Sequence, residues 1–356
     1  GRYYVWSYDE LKALLPETDF PFFAETYNAT PAGNWEGHII LNRTGGPKRL
    51  DADSEARLAA CRALLLNHRR TRIPPGFDDK VLADWNGLAI SALADAARLF
   101  ERPDWLDAAK CAFARIIELL WTGQSLHHSW RQGMAKHHAT ADGYANLIAA
   151  ALALHAADND PDYLAWAERL EAALVRHHWS EERGGFYFAS DEARELLVRP
   201  FSAHDDATPN ANGVMIANLV RLSHLTGTPA YSARAEIVHR TFAAEVRNNP
   251  FGHASFMTGL LDLLDPVQLV FAGGGDSTSL KRAAIDLLGP DAITLTLAET
   301  ATLPPSHPAY GKSVASRYPT AFLCRGNTCA TPAHDADQLL AAARLLQLDR
   351  GIHPAD

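Results

Sequence analysis

Residues 78–87 read Asp78-Asp79-Lys80-Val81-Leu82-Ala83-Asp84-Trp85-Asn86-Gly87 and open a long helical pattern. Two acids suit the positive end of a helix dipole, but Lys80 in the first turn does not. Trp85, Asn86 and Gly87 then interrupt good helix formers. Several local rules broken together mark a site rather than a plain helix start. Acids recur before two later helical patterns, as Asp142 and as the pair Asp205 and Asp206. One protonated and one ionised carboxyl group make the usual acid–base couple. Asp79 and Asp205 are the first choice for that couple, with Asp142 third and Asp78 a weaker neighbour. The competing reading makes both acids helix caps, with Lys80 neutralising them.

The elements that must carry these acids are helices. From residue 52 to 264 the apolar period is helical, with helices expected near 52–69, 80–100, 103–121, 139–157, 160–178, 209–226, 229–247 and 250–264. Asp160-Pro161, Thr208-Pro209 and Thr228-Pro229 each set a cap before Pro at the first helical position. Short links inside the pairs 80–121, 139–178 and 209–247 make the partners antiparallel. The links between pairs are longer and carry His, Gly and aromatic residues, as in Leu126-His127-His128-Ser129-Trp130 and Gly184-Gly185-Phe186-Tyr187-Phe188. If the hairpins repeat with one hand, their first helices all point the same way. The acids at 78/79, 142 and 205/206 then meet at one mouth.

The ends of the chain read differently. Tyr3 to Trp6 is strand-like, and Ser7 to Glu10 is a capping box opening a helix through Leu15. Gly33-Asn34-Trp35-Glu36-Gly37 is a turn. After Pro266, strands near 267–272, 292–297 and 320–324 alternate with helices near 277–288 and 335–348, which indicates a small α/β appendage. A Pro-rich loop spans 299–319. The organisation expected is a turn-rich segment 1–50 belonging to the helical layer, helical hairpins 51–265, and an α/β subdomain 266–356.

Composition narrows the class. Over 356 residues the chain is 47% hydrophobic and 21% charged, as globular proteins are. A net charge of −9 argues against a general nucleic-acid binder, and no apolar run reaches membrane-spanning length. The four cysteines form no secreted disulfide framework, so a reducing cytoplasm is expected. Cys324 and Cys329 are five apart, which is not the redox dithiol spacing; they read as partly buried thiols beside the last strand. The pairs His127-His128, His137-His138 and His177-His178 lack the spacing of a metal site, so no metal and no cofactor is expected. Gly273-Gly274-Gly275 follows a strand but lacks the other residues of a phosphate loop. His204 and His253 are candidates for a general base without a supporting spacing.

Taken together, Tyr3-Tyr4-Val5-Trp6, Gly33-Asn34-Trp35-Glu36-Gly37, the run from Asp78 to Gly87, the Gly184–Phe188 run, the stretch from Asp205 to Asn212, and Cys324 with Cys329 and Pro332 resemble a known family. It is the thioredoxin-domain family related to spermatogenesis-associated protein 20, and the motifs stand in the family's order over nearly the whole chain. The resemblance implies an upstream thioredoxin-like domain followed by an (α/α)6 toroid similar to six-hairpin glycosidases and sugar 2-epimerases. It implies that this chain is the C-terminal part, holding a partial barrel of about eight helices. Two departures stand out. The family's Asp-Asp-Tyr-Ala is here Asp142-Gly143-Tyr144-Ala145, and its Pro-Ser-Gly-Asn is Pro209-Asn210-Ala211-Asn212.

The resemblance turns the acids towards glycosyl chemistry, which uses two carboxyl groups. Trp85 and Tyr144 would floor a sugar ring, or serve as core. Asn86 and Asn212 would bond hydroxyls, or tie loops to the backbone. Lys80 would hold a carboxylate ionised or bind a hydroxyl, or form a structural ion pair. Glu36 is a further acid, or a turn residue. The expected partner is a small carbohydrate, hydrolysed or epimerised. The alternative is a non-catalytic scaffold presenting the upstream domain, and association of copies through exposed inner-helix surface stays open.

Overall fold

The computed structural model describes residues 1–45, 50–194, 196–297, 303–312 and 318–348. They fall into two compact units, Gly1–Asp79 and Lys80–Asp356.

The first unit holds α1 (Tyr8–Leu14), α2 (Phe20–Thr26) and α3 (Ala52–Arg69). The Ser7 hydroxyl accepts from the Glu10 N–H at 3.1 Å, which is the capping interaction read from the sequence. The expected strand at 3–6 is a turn; only Trp6 pairs, as an isolated bridge to Ile39. Trp6, Leu11, Phe23, Ile39, Leu58 and Leu65 make this unit's core. The helix α2 carries Pro21 in its first turn and was not anticipated.

The second unit begins with β1 (Val81–Leu82), α4 (Ala83–Phe100) and α5 (Pro103–Leu120). A hairpin of β2 (His127–Arg131) and β3 (Met134–His138) leads to α6 (Ala141–Asp158) and α7 (Pro161–His178). The short pair β4 (Trp179–Ser180) and β5 (Gly185–Phe186) precedes α8 (Ala211–Thr226), α9 (Pro229–Asn248) and α10 (Ala254–Leu264). The helices are those the periodicity predicts, with four corrections, the first being that α10 starts at Ala254 and not near 250, where Pro250–His253 form a 3-10 turn. Val81 and Leu82 pair with Trp130 and Ser129 as strand, so α4 starts at Ala83 with Leu82 as its N-cap. The N-cap of α8 is Asn210, whose side chain accepts from the Asn212 N–H at 2.9 Å, and not Thr208. The His-rich link after α5 is an antiparallel hairpin in which His127 faces His138.

Burial separates inner from outer helices. In α6 thirteen of eighteen residues are buried, in α7 six of eighteen. A helix with apolar residues all round is packed on every side; one with a single apolar stripe faces solvent. The inner helices α4, α6, α8 and α10 lie side by side in that order, and α5, α7 and α9 back them. Glycines permit close approach of neighbouring inner helices. A Cβ on Gly87 would stand 2.7 Å from the Asn146 carbonyl carbon, and one on Gly213 would stand 2.5 Å from the Phe256 nitrogen. The result is a set of toroid-like helical hairpins, mainly α.

The chain ends in β6 (Val267–Ala272), α11 (Thr278–Leu288), β7 (Ile293–Thr296), β8 (Thr320–Arg325), β9 (Thr328–Cys329) and α12 (Ala336–Leu345). The sheet order is β7-β6-β8-β9, with β6 and β7 parallel and the other pairs antiparallel. Val270, Ala272, Ile293 and Leu295 join the core of the helical hairpins, while Leu269, Phe271 and Leu323 pack with α11 and α12. Of the Pro-rich loop at 299–319, residues 299–302 and 313–317 lie outside the described set. The expectation of two thiols is corrected: Cys324 and Cys329 are paired across β8 and β9 and joined as a disulfide. The turn at Gly326-Asn327 places them opposite each other, which spacing alone did not reveal. Among the described residues no helix is long and apolar enough to cross a membrane.

Candidate active site

The N-termini of α4, α6, α8 and α10 lie at the same end of the inner layer. Asp142, in the first turn of α6, accepts a 2.8 Å hydrogen bond from the N–H of Ala211, the first residue of α8. Asp205 joins α8 to α10: its Oδ1 accepts from the Asn210 N–H at 2.8 Å and from the Ser255 hydroxyl at 2.5 Å, and its Oδ2 accepts from the Ser255 N–H at 2.8 Å. Asp84, in the first turn of α4, belongs to the same group and accepts from the Trp85 N–H at 2.8 Å. The Asp142 carboxyl therefore feels the carboxylates of Asp84, Asp205 and Asp206.

The electrostatic outcome is clearest at Asp142. Burial, with a smaller contribution from the other three carboxylates, pushes its pKa up to about 6 against the lowering effect of the Ala211 N–H. Asp142 is half-buried, and its second oxygen has no hydrogen-bond partner among the described residues.

Asp142 lines a cavity of about 260 Å³ together with Phe186, Phe188, Ser202, His204, Asp206 and Asn210. Phe188 is 41% exposed there, and Phe186 is buried beneath. His204 stacks edge-on against buried His253 at 5.3 Å between ring centroids. The Nε2 of His253 is 3.1 Å from a Glu245 carboxylate oxygen. Phe186, Phe188 and Ser202 were not singled out from the sequence as site residues, and Asp206 was placed at the mouth only as half of the Asp205-Asp206 pair. The Gly184–Phe188 link and the Asp205-Asp206 doublet were the available signals, and neither says which residue faces the cavity.

The remaining candidates divide. Asn212 also lines the cavity, but its amide is spent on the scaffold. Its Oδ1 accepts from the Phe186 N–H at 2.8 Å, and its Nδ2 donates to the carbonyls of Phe186 and Ser202, each at 3.0 Å. Tyr144 is 2% exposed, and its hydroxyl accepts from the Leu126 N–H; it offers no face to a sugar ring, which corrects the stacking expectation. Asn86 donates to the Leu82 carbonyl one turn back, so its amide stays in its own helix. Trp85 is 62% exposed and does not line the cavity. Asp78 and Asp79 are exposed and end the first unit; neither caps α4, whose N-cap is Leu82. Lys80 is exposed just before β1 and so is not in a helical first turn. Glu36, in the first unit, is exposed in the Trp35–His38 turn with φ of 48°. Among the described residues no group of three or more His, Cys, Asp or Glu could hold a metal ion.

Fold and site together define a mainly helical hairpin protein with a carboxyl-lined cavity at the N-terminal rim of its inner helices. Its relatives bear out the resemblance read from the motifs. The chain is 25% identical over 295 residues to human spermatogenesis-associated protein 20, covering 70% of this chain and 36% of that protein. It is 24% identical over 375 residues to an uncharacterized Caenorhabditis elegans protein, covering 95% of this chain and 51% of that one. It thus spans between about a third and a half of the length of these relatives. No protein-family model matches. Among solved structures, the GH76 α-mannanase of Bacteroides thetaiotaomicron is similar, with a TM-score of 0.42 and 15% identity over 67% of this chain and 68% of that one.

Proposed function

We propose that the rim cavity is a carbohydrate site in which Asp142 acts as general acid. The observation that carries this reading is a half-buried carboxyl, raised to about 6, on the wall of a cavity that also holds aromatic rings and a second acid. Protonated Asp142 donates its proton to a glycosidic oxygen as the bond to the anomeric carbon breaks. Asp206, on the same wall, is the second carboxyl group, placed to activate water or shield the developing positive charge. Phe188 gives the apolar face of a sugar ring a surface to pack on. Ser202, His204 and Asn210 supply polar contacts around it. A volume of about 260 Å³ is at the small end for ligand pockets and suits one sugar unit, the rest of the substrate lying outside.

The test is a panel of mono- and disaccharides incubated with the full chain and followed by NMR at the anomeric protons. Turnover of one member is expected, with Asp142→Asn lowering it at least about a hundredfold while calorimetry still detects sugar binding. No turnover and no binding across the panel would replace this reading with that of a scaffold presenting an upstream thioredoxin-like domain.

A further inference from the structure

A second cavity, of about 190 Å³, is lined by Leu269 and Phe271 of β6, Thr294 and Thr296 of β7, Lys281 of α11, and Arg98 at the end of α4. Three of its polar groups, on Arg98, Lys281 and Thr294, are cationic or can donate a hydrogen bond. The Arg98 side chain is only 8% exposed. Its nearest carboxylate, Asp95, is 3.8 Å away, beyond hydrogen-bond reach, and its Nη1 has no hydrogen-bond partner among the described residues. Lys281 is half-buried and makes no ion pair among the described residues; its ammonium stands 5.8 Å from the Phe271 ring centroid. The Thr294 hydroxyl is buried without a partner. The acid on the cavity wall, Asp158, is held by Lys110 at 2.5 Å.

A buried guanidinium nitrogen and a buried hydroxyl without hydrogen-bond partners, beside a half-buried ammonium on the same cavity wall, are costly to leave unsatisfied. Water can satisfy a donor but leaves the charge in place. An anion satisfies both. Guanidinium, ammonium and hydroxyl lining one small cavity suit the oxygens of a phosphate or carboxylate. The apolar walls from Leu269, Phe271 and Ile285 fit a small organic body behind that group.

We propose that this cavity binds a small oxyanion, the phosphate or carboxylate group of a low-molecular-weight metabolite, through Arg98, Lys281 and Thr294. Burial already pushes the Lys281 pKa down, and an anion beside it reverses that shift. The site is separate from the carbohydrate cavity and does not depend on it.

Isothermal titration of the full chain at pH 7.5 with inorganic phosphate, and separately with acetate, tests this against chloride at equal ionic strength. One saturable site is expected; the tighter of the two anions identifies the group. Lys281→Met keeps the aliphatic stem on Phe271 and removes the charge, and it should weaken binding at least about tenfold. Thr294→Val should weaken it several-fold. Arg98→Met also strips the cation beside Asp95, so circular dichroism must accompany it, and the other two variants carry the decision. No saturation with either anion overturns the proposal, as does unchanged affinity in folded Lys281→Met and Thr294→Val.

Discussion

The carboxylate of Asp142 and the backbone N–H of Ala211 are 2.8 Å apart, linking the first turn of α6 to the first residue of α8. A helix N-terminus normally stabilises an adjacent carboxylate and lowers its pKa. Here burial, followed by Asp84, Asp205 and Asp206, outweighs that and leaves the group near 6. The contact therefore positions the acid, while burial keeps a share of it protonated near neutrality.

Stability should record this. A carboxyl whose folded pKa is raised stabilises the fold below its unfolded value, near 3.9, and loses that contribution as pH rises through about 6. Asp142→Asn keeps an acceptor for the Ala211 N–H but cannot ionise. The variant should melt several degrees higher than wild type at pH 7.5, the gap closing by about pH 4. His178, held neutral by burial with a pKa lowered to about 4, acts in the opposite sense over an overlapping range. The informative quantity is thus the difference between variant and wild type, not either curve alone.

Asp205→Ala should destabilise the second unit by about 2–4 kcal/mol, since one side chain caps two helices and its loss orphans the N–H groups of Asn210 and Ser255. Urea unfolding measures it. A change under about 0.5 kcal/mol would mean that the start of α10 is held by other contacts.

Glycines of the inner helices should respond unequally to alanine. A Cβ at Gly213 would meet the Ser255 Oγ at 2.2 Å and the Phe256 nitrogen at 2.5 Å, so Gly213→Ala should cost about 2–3 kcal/mol through overpacking. A Cβ at Gly143 would meet the Ala139 and Ala83 methyls at 3.5 Å and the Asp84 nitrogen at 4.0 Å, all ordinary contacts. Gly143→Ala should therefore be neutral or stabilising by up to about 1 kcal/mol from helix propensity. Paired thermal melts decide it.

Iodoacetamide labelling of the unfolded, unreduced chain should modify two cysteines, Cys61 and Cys111, and reduction should release two more. Closing so short a loop is worth about 2 kcal/mol in the chain-entropy account, so reduced protein should be less stable by roughly that amount. Four labelled cysteines before reduction would contradict the pairing.

Helix positions were legible because apolar period and cap chemistry are local. Thr140, Asp160 and Thr228 stand at the N-caps of α6, α7 and α9, and Pro161 and Pro229 stand in the first turns of α7 and α9. The parallel starts of the inner helices followed from short intra-pair links. The hairpin at 127–138 was not legible, because strand pairing at Val81–Trp130 is a long-range contact and His-rich strands carry no apolar alternation. Within the candidate site, Asp142 and Asp205 look alike as acids near the start of a helix. Asp205 has both oxygens occupied by α8 and α10, while Asp142 has one oxygen without a partner and a cavity beside it.

Chain chemistry alone sets which segments coil, where they start, and that acids recur at the starts of successive hairpins. Whether a given carboxyl is a cap or a proton donor depends on desolvation and on charges brought from 60 or more positions away in the chain, as between Asp142 and Asp205. Those are properties of packed surfaces. They come into being only when α4, α6, α8 and α10 close against one another.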